Sequence, residues 1–154
     1  MATGERLDPL PAFNFVVQLI ESGGGRRTVA GFSECSGLES TLEVETYQEG
    51  GVNDRVHRFP SRLTFSNITL KRGVTVDKTL HEWHLNLLRG QTDRRDGLII
   101  LRDERGENVL AWKFERGLPV KWTGPTLNAT TAEASIETLE IAHERLSPFD
   151  LGRT

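Results

Sequence analysis

Four places in the chain carry residue types that could do chemistry. His81-Glu82-Trp83-His84 has the look of a zincin helix, in which two histidines four residues apart hold zinc and a glutamate acts as base. Here the fourth position after His81 is Leu85, so the spacing fails. A pair at i and i+3 could hold a metal only with further ligands such as Cys35 or His57. A metal hydrolase built that way would carry zinc, and would lose it on His84→Ala. Ordinary, partly exposed helix histidines are the expected reading. Cys35 would need a neighbouring base and an electropositive setting to act as a nucleophile; a small buried residue at a strand end is expected instead. Glu43 and Glu45 alternate along an extended run, which puts both carboxylates on one solvated face rather than around a substrate. Gly23-Gly24-Gly25 lacks the strand-to-helix setting and the following Lys-Ser/Thr of a phosphate loop. The sequence therefore predicts no enzyme, no cofactor and no metal.

The elements that would position these residues are mostly strands. Phe13 to Ile20 alternates with one strongly apolar face, Ser22 to Gly25 supplies a turn, and Thr28 to Glu34 reads as the returning strand. Ser36-Gly37 precedes a run in which Leu42, Val44 and Thr46 oppose Glu43, Glu45 and Tyr47, the pattern of a half-buried strand. A second β-rich run, Arg62 to Leu70, slips phase near Asn67, which predicts a bulge. Between these two runs lies a polar stretch too long for a hairpin tip, with Gly50-Gly51 at its root and Pro60 at its exit. Loops of that length are functional or disordered. Its mixed charges (Glu49, Asp54, Arg55, Arg58) suit a protein surface better than phosphate, and predict an arm reaching a neighbouring subunit.

One helix is predicted, capped by Asp77 and closed by Gly90, with Leu80, Trp83, Leu87 and Leu88 on its inner face. Leu98 to Leu101 begins a strand, Asp103 to Gly106 turns it, and Asn108 to Glu115 returns with Leu110, Trp112 and Phe114 on one side. Gly117, Pro119, Gly124 and Pro125 are expected to break up the segment around Val120 and Trp122. The stretch around Ala132, Ile136, Leu139 and His143 fits a helix by propensity and a strand only with a phase shift. Residues 1–11 and 147–154 read as tails.

The 154 residues make one domain by prior, large enough to bury roughly two-thirds of the unfolded surface. A formal charge of -3 argues against a nucleic-acid binder working through a basic field. A single cysteine excludes an internal disulfide framework. No apolar run approaches the ~20 residues of a membrane span, and the N-terminus lacks the apolar core of a signal peptide. Fifteen arginines against four lysines point to a GC-rich bacterial source.

Several blocks, read together, resemble the phage-type tail tube protein family, which supplies the inner tubes of contractile phages and contractile injection systems. They are Phe13-Asn14-Phe15-Val16-Val17, Gly31 to Leu38, Tyr47-Gln48-Glu49-Gly50-Gly51, Leu70-Lys71-Arg72-Gly73, Trp83, Pro119 to Pro125 and Ile136 to Glu144. They span residues 8–146 in the family's order. Arg145 departs from the pattern, where a glycine is expected before the final leucine.

The resemblance implies a mainly β fold, a β-sandwich or split barrel with one flanking helix and a long extended inter-subunit loop. It also implies a strand rather than a helix in the last block. Six copies would form a ring, and rings would stack into a hollow conduit that sheath contraction drives through a target envelope. Residues 49–61 would bridge protomers and rings, with Glu49, Gly50, Gly51, Asp54, Arg55, Arg58 and Phe59 in contact. Glu43 and Glu45 would face the lumen. Partners would be other copies of the chain, sheath, baseplate and spike proteins, and effector cargo, with no specific nucleic-acid recognition and no membrane insertion. Assembly would occur in the bacterial cytoplasm, before the subunit becomes part of a tail or a released particle. The alternatives are a type VI secretion tube protein and, in a different class, a monomeric small-ligand β-barrel.

Overall fold

The structure is a computed structural model and describes residues 14–21, 23–29, 31–48, 50–51, 56–74, 77–130 and 135–152. Two sheets are joined by one long strand. The first contains β1 (Asn14–Ile20), β2 (Arg26–Val29), β7 (Arg95–Arg102), the front half of β8 (Asn108–Thr123) and β10 (Arg145–Phe149). The second contains the rear half of β8, β9 (Ile136–Ala142), β6 (Ile68–Gly73) and β3 (Phe32–Ser36). Every pairing is antiparallel. The inner faces of the two sheets meet in a core of Val17, Leu19, Ile68, Leu70, Ile99, Phe114, Leu139 and Ile141. This is the split barrel expected from the family resemblance.

Leu98 to Leu101 is a continuous apolar run because both faces of its sheet are covered. Ile99 enters the main core, whereas Leu98 and Ile100 join Val16 and Ala111 in a second cluster against Phe149 and Leu151. Residues 147–149, expected in a tail, are therefore paired to β8 and packed. The single returning strand expected over Thr28 to Glu34 is instead two. β2 pairs β1 and β3 pairs β6, and the chain changes sheet at Gly31, whose φ of 88° suits glycine.

Gly117 and Pro119 do not interrupt β8. The strand bends there: Arg116 has φ 55°, its N–H donates to Asp96 Oδ1 at 2.9 Å, and Pro119 sits at a bulge against β9, where its missing donor costs little. Phe114 is fully buried, its ring lying between the backbones of Gly97 and Gly117. β9 is a strand because β6 and β8 flank it on both sides and alternate residues Leu139 and Ile141 enter the core, which outweighs local helix propensity.

The helix α1 (Thr79–Leu88) lies on β8, burying Leu80 and Trp83. Asp77 Oδ1 accepts from the Thr79 N–H (3.1 Å) and the Thr79 hydroxyl (2.6 Å), which holds the Asp77 carboxyl below the usual carboxylate range. Trp83 Nε1 donates to the Asp93 carbonyl at 2.7 Å. Leu88, expected on the inner face, is 68 % exposed. The buried Arg72 ties α1 to the second sheet. Its Nε pairs with Glu137, its Nη2 donates to the Asp77 carbonyl at 2.7 Å, and its guanidinium lies 5.7 Å from the Phe32 ring centroid.

Candidate inter-subunit surface

Among the described residues, β4 (Ser40–Tyr47) and β5 (His57–Phe65) pair only with each other and form a two-stranded ribbon outside both sheets. Along its length every residue is exposed except Phe65. At 3.3 Å per residue the ribbon extends roughly 25 Å. The alternation at Leu42 to Tyr47 does mark a strand, but one that is not half-buried. β5 begins at His57, inside the stretch expected to be loop, so residues 57–61 of the expected arm are paired β-structure. The phase slip at Asn67 is a strand boundary, where the chain leaves the ribbon for β6.

The register assigns the ribbon's faces. Leu42 opposes Leu63, Val44 opposes Pro60 and Thr46 opposes Arg58, giving one face with an apolar row. Leu42 is 52 %, Val44 49 % and Leu63 56 % exposed. The other face carries Glu43 and Glu45, with Phe59 opposite Glu45 and His57 opposite Tyr47. Ser61 Oγ donates to Glu45 Oε1 at 3.2 Å. Gly50 and Gly51 form the turn at the described end of β4, Gly51 at φ 100°. Of the seven contact residues expected from sequence, Gly50, Gly51, Arg58 and Phe59 are exposed here, and Glu49, Asp54 and Arg55 lie outside the described residues. Sequence reasoning missed Leu42, Val44 and Leu63 as surface. The available signal was that an alternating pair of strands with no third strand to cover it leaves its apolar row bare. Two-stranded ribbons are marginal alone and need a packing partner.

The ribbon's two roots are clasped. Gly37, at φ 88°, lies so close to Asn67 that a Cβ would sit 1.9 Å from the Asn67 carbonyl oxygen. Ser66 Oγ donates to the Glu39 carboxylate at 3.0 Å, and Asn67 Nδ2 donates to Glu140 at 2.8 Å. His143 Nε2 lies 2.9 Å from the Ser66 carbonyl oxygen, and its ring packs against Phe65.

The two helix histidines first considered for chemistry have structural partners. His81 stacks on Trp122 with centroids 4.2 Å apart, and His84 Nδ1 is 2.6 Å from the Pro119 carbonyl oxygen, so both fasten α1 to β8. No cluster of three potential metal ligands occurs among the described residues. Cys35 lies within β3, where burial, with a smaller contribution from Glu34, pushes its thiol up to about 12. A thiol so weakly acidic is a poor nucleophile.

Comparison with known proteins points the same way. Residues 11–147 match the sequence profile described as "T4-like virus tail tube protein gp19". No curated protein sequence matches. Among solved structures the fold is similar to a chain of the anti-feeding prophage tube-terminating cap (26% identity, TM-score 0.81, 97% of this chain and 99% of that one). It is also similar to a chain of the anti-feeding prophage baseplate (25% identity, TM-score 0.80, 95% and 99%). Hcp1 from Flavobacterium johnsoniae shares the fold at 17% identity, with a TM-score of 0.58 over 88% of this chain and 94% of that one.

Proposed function

This chain belongs to the T4-like virus tail tube protein family, and from that membership we propose that it is the inner-tube subunit of a contractile tail or injection system, six copies to a ring and rings stacked into a hollow conduit. The observation that carries the proposal is the exposed ribbon. A row of branched aliphatic side chains on a marginal two-stranded element is stable only when covered, and a head-to-tail contact that closes on itself covers it in every protomer. The sheet edges at β2 and β3, open among the described residues, call for the same solution.

In this reading residues 49–61 are the outer part of the arm, and Glu49, Gly50, Gly51, Asp54, Arg55, Arg58 and Phe59 touch neighbouring protomers or rings. With the apolar face packed, Glu43 and Glu45 are left on the opposite face and line the lumen, a hydrated wall along which effector cargo slides. Sheath subunits surround the tube and baseplate and spike proteins close its end. The subunit assembles in the bacterial cytoplasm and acts mechanically, without catalysis. A type VI secretion tube reading rests on likeness of fold alone.

Negative-stain electron microscopy of the purified chain at rising concentration tests this. Rings with a central hole, or stacked tubes, are expected. A chain that stays monomeric at every concentration, with and without baseplate components, overturns the proposal.

A further inference from the structure

The split barrel leaves a seam. β2 covers only Val17 to Ile20 of β1, so Asn14 to Val16 have no strand on that side among the described residues. At the other end of the strand order, β3 pairs β6 alone among the described residues. Between these edges lies a cleft of about 300 Å³ lined by Phe15, Cys35, Leu38, Ile99, Leu101 and Trp112. Phe15, Cys35, Leu38 and Trp112 sit at the margin of the core, packed against it on one side and only partly covered on the other. An apolar cleft between two unpaired strand edges is a surface that accepts an extended segment, whose backbone pairs with an edge while alternate side chains fill the cleft.

The ribbon has that chemistry, with apolar residues at period two and, among the described residues, two unpaired outer edges. The clasp at Gly37 and Asn67 holds it clear of its own barrel, with both faces exposed. Among the described residues, each protomer therefore presents a bare apolar row and a bare apolar cleft. We propose that the cleft receives the ribbon of a second copy of this chain, with Leu42, Val44 and Leu63 seated on Phe15, Leu38 and Leu101. Arg58, on the same ribbon face nearer the outer end, then approaches Glu34 at the cleft's rim, whose carboxylate also pairs with Lys71 at 3.4 Å. This rests on the tube reading and names the receiving surface. Because the donor and acceptor surfaces differ, the contact is head-to-tail and uses each surface once when a ring closes.

The chain's one cysteine, Cys35, is a reporter already inside the cleft. In assembled Leu63→Cys or Val44→Cys protein, slow oxidation with copper–phenanthroline at alkaline pH should link the ribbon to Cys35 of the neighbour. The product is a ladder of covalent oligomers on non-reducing gels, lost when Cys35→Ser is added. Leu88→Cys, on the exposed side of α1, should give no link to Cys35. Hydrogen exchange on the unaltered protein provides a second reading: amides of Asn14 to Val16 and of β3 should exchange at least tenfold more slowly in tubes than in dilute monomer. Rings or tubes that form normally yet show neither the link nor the protection overturn this inference and leave the tube reading intact. Failure of the wild-type chain to form rings brings both down. Faster thiol labelling of monomeric Cys35 after deletion of residues 2–11 would show that the chain's own N-terminus fills the cleft, which also overturns it.

Discussion

Gly97→Ala is a sharp test of how the core is built. A Cβ at position 97 would lie 2.3 Å from Phe114 Cζ and 2.5 Å from Cε1, more than an ångström inside ordinary contact, with the Gln18 carbonyl oxygen at 3.1 Å. The ring has no retreat, since a Cβ at Gly117 would already meet its opposite edge at 2.8 Å and the residue is fully buried. Overpacking of this kind costs about 1–3 kcal/mol, and an unyielding ring places it at the upper end. Alanine's reduced freedom in the unfolded chain returns about 0.4–1 kcal/mol. A net loss of about 2 kcal/mol is expected, or a fall in Tm of about 4–8 °C for a chain of this size. Urea unfolding followed by tryptophan fluorescence reads it, in monomer dilute enough that assembly adds nothing by mass action. Trimming the ring with Phe114→Leu should itself destabilise, yet combined with Gly97→Ala it should cost at least ~1 kcal/mol less than the sum of the two. Additive losses, or a Gly97→Ala variant within ~0.5 kcal/mol of wild type, would refute the clash as the reason for glycine.

The same contacts carry other expectations. Glu137→Ala should destabilise the fold by about 3–5 kcal/mol by urea unfolding, because it strands the buried Arg72 guanidinium, and Arg72→Met in the same chain should recover part of that loss. Asp77→Ala should cost about 1 kcal/mol near neutral pH through the lost bonds to Thr79. The Asp77 carboxyl is held below its unfolded value. Its contribution is therefore complete above the ordinary carboxylate range and lost as pH falls through the lowered folded value, so the gap between wild type and variant should close in acid; a gap unchanged in acid would refute the assignment. Leu63→Asp should leave the monomer's stability within ~0.5 kcal/mol, since the side chain is bare, while abolishing tubes in sedimentation and electron microscopy. Normal tubes from that variant would remove the apolar ribbon face from the interface.

Much of this architecture was legible in the chain. The alternation at β1, the Gly90 end of α1 and the Asp103 to Gly106 turn are local signals, and the structure places them where they were expected; the N-cap of α1 is Lys78, one residue beyond the expected Asp77. What local signals could not show was where the partners lie. The alternation at Leu42 and Val44 reads the same whether the row is covered by a core or by another molecule, and only the absence of a third strand separates the two. Leu88 continues an apolar stripe yet stays exposed at the end of α1. Gly117 and Pro119 look like strand breakers, but a bend and a bulge accommodate both within one strand. Ile136 to Ala142 favours a helix until β6 and β8 take up its hydrogen bonds from either side. Arg58 and Phe59, expected in contact with a neighbour, are exposed on the ribbon, and the aliphatic row of Leu42 and Val44, read from its alternation as half-buried, is exposed as well.

β8 also has a mechanical meaning. Its first half is stitched to β7 and β10 and its second half to β9, so one continuous backbone belongs to both sheets. The sheets cannot be drawn apart by parting side chains alone, because a covalent tie crosses between them. Load directed along that strand is shared by hydrogen bonds acting side by side rather than broken in succession. In a tube that is thrust lengthwise, such a strand works as a tendon within each subunit, leaving the contacts between subunits as the parts able to yield first.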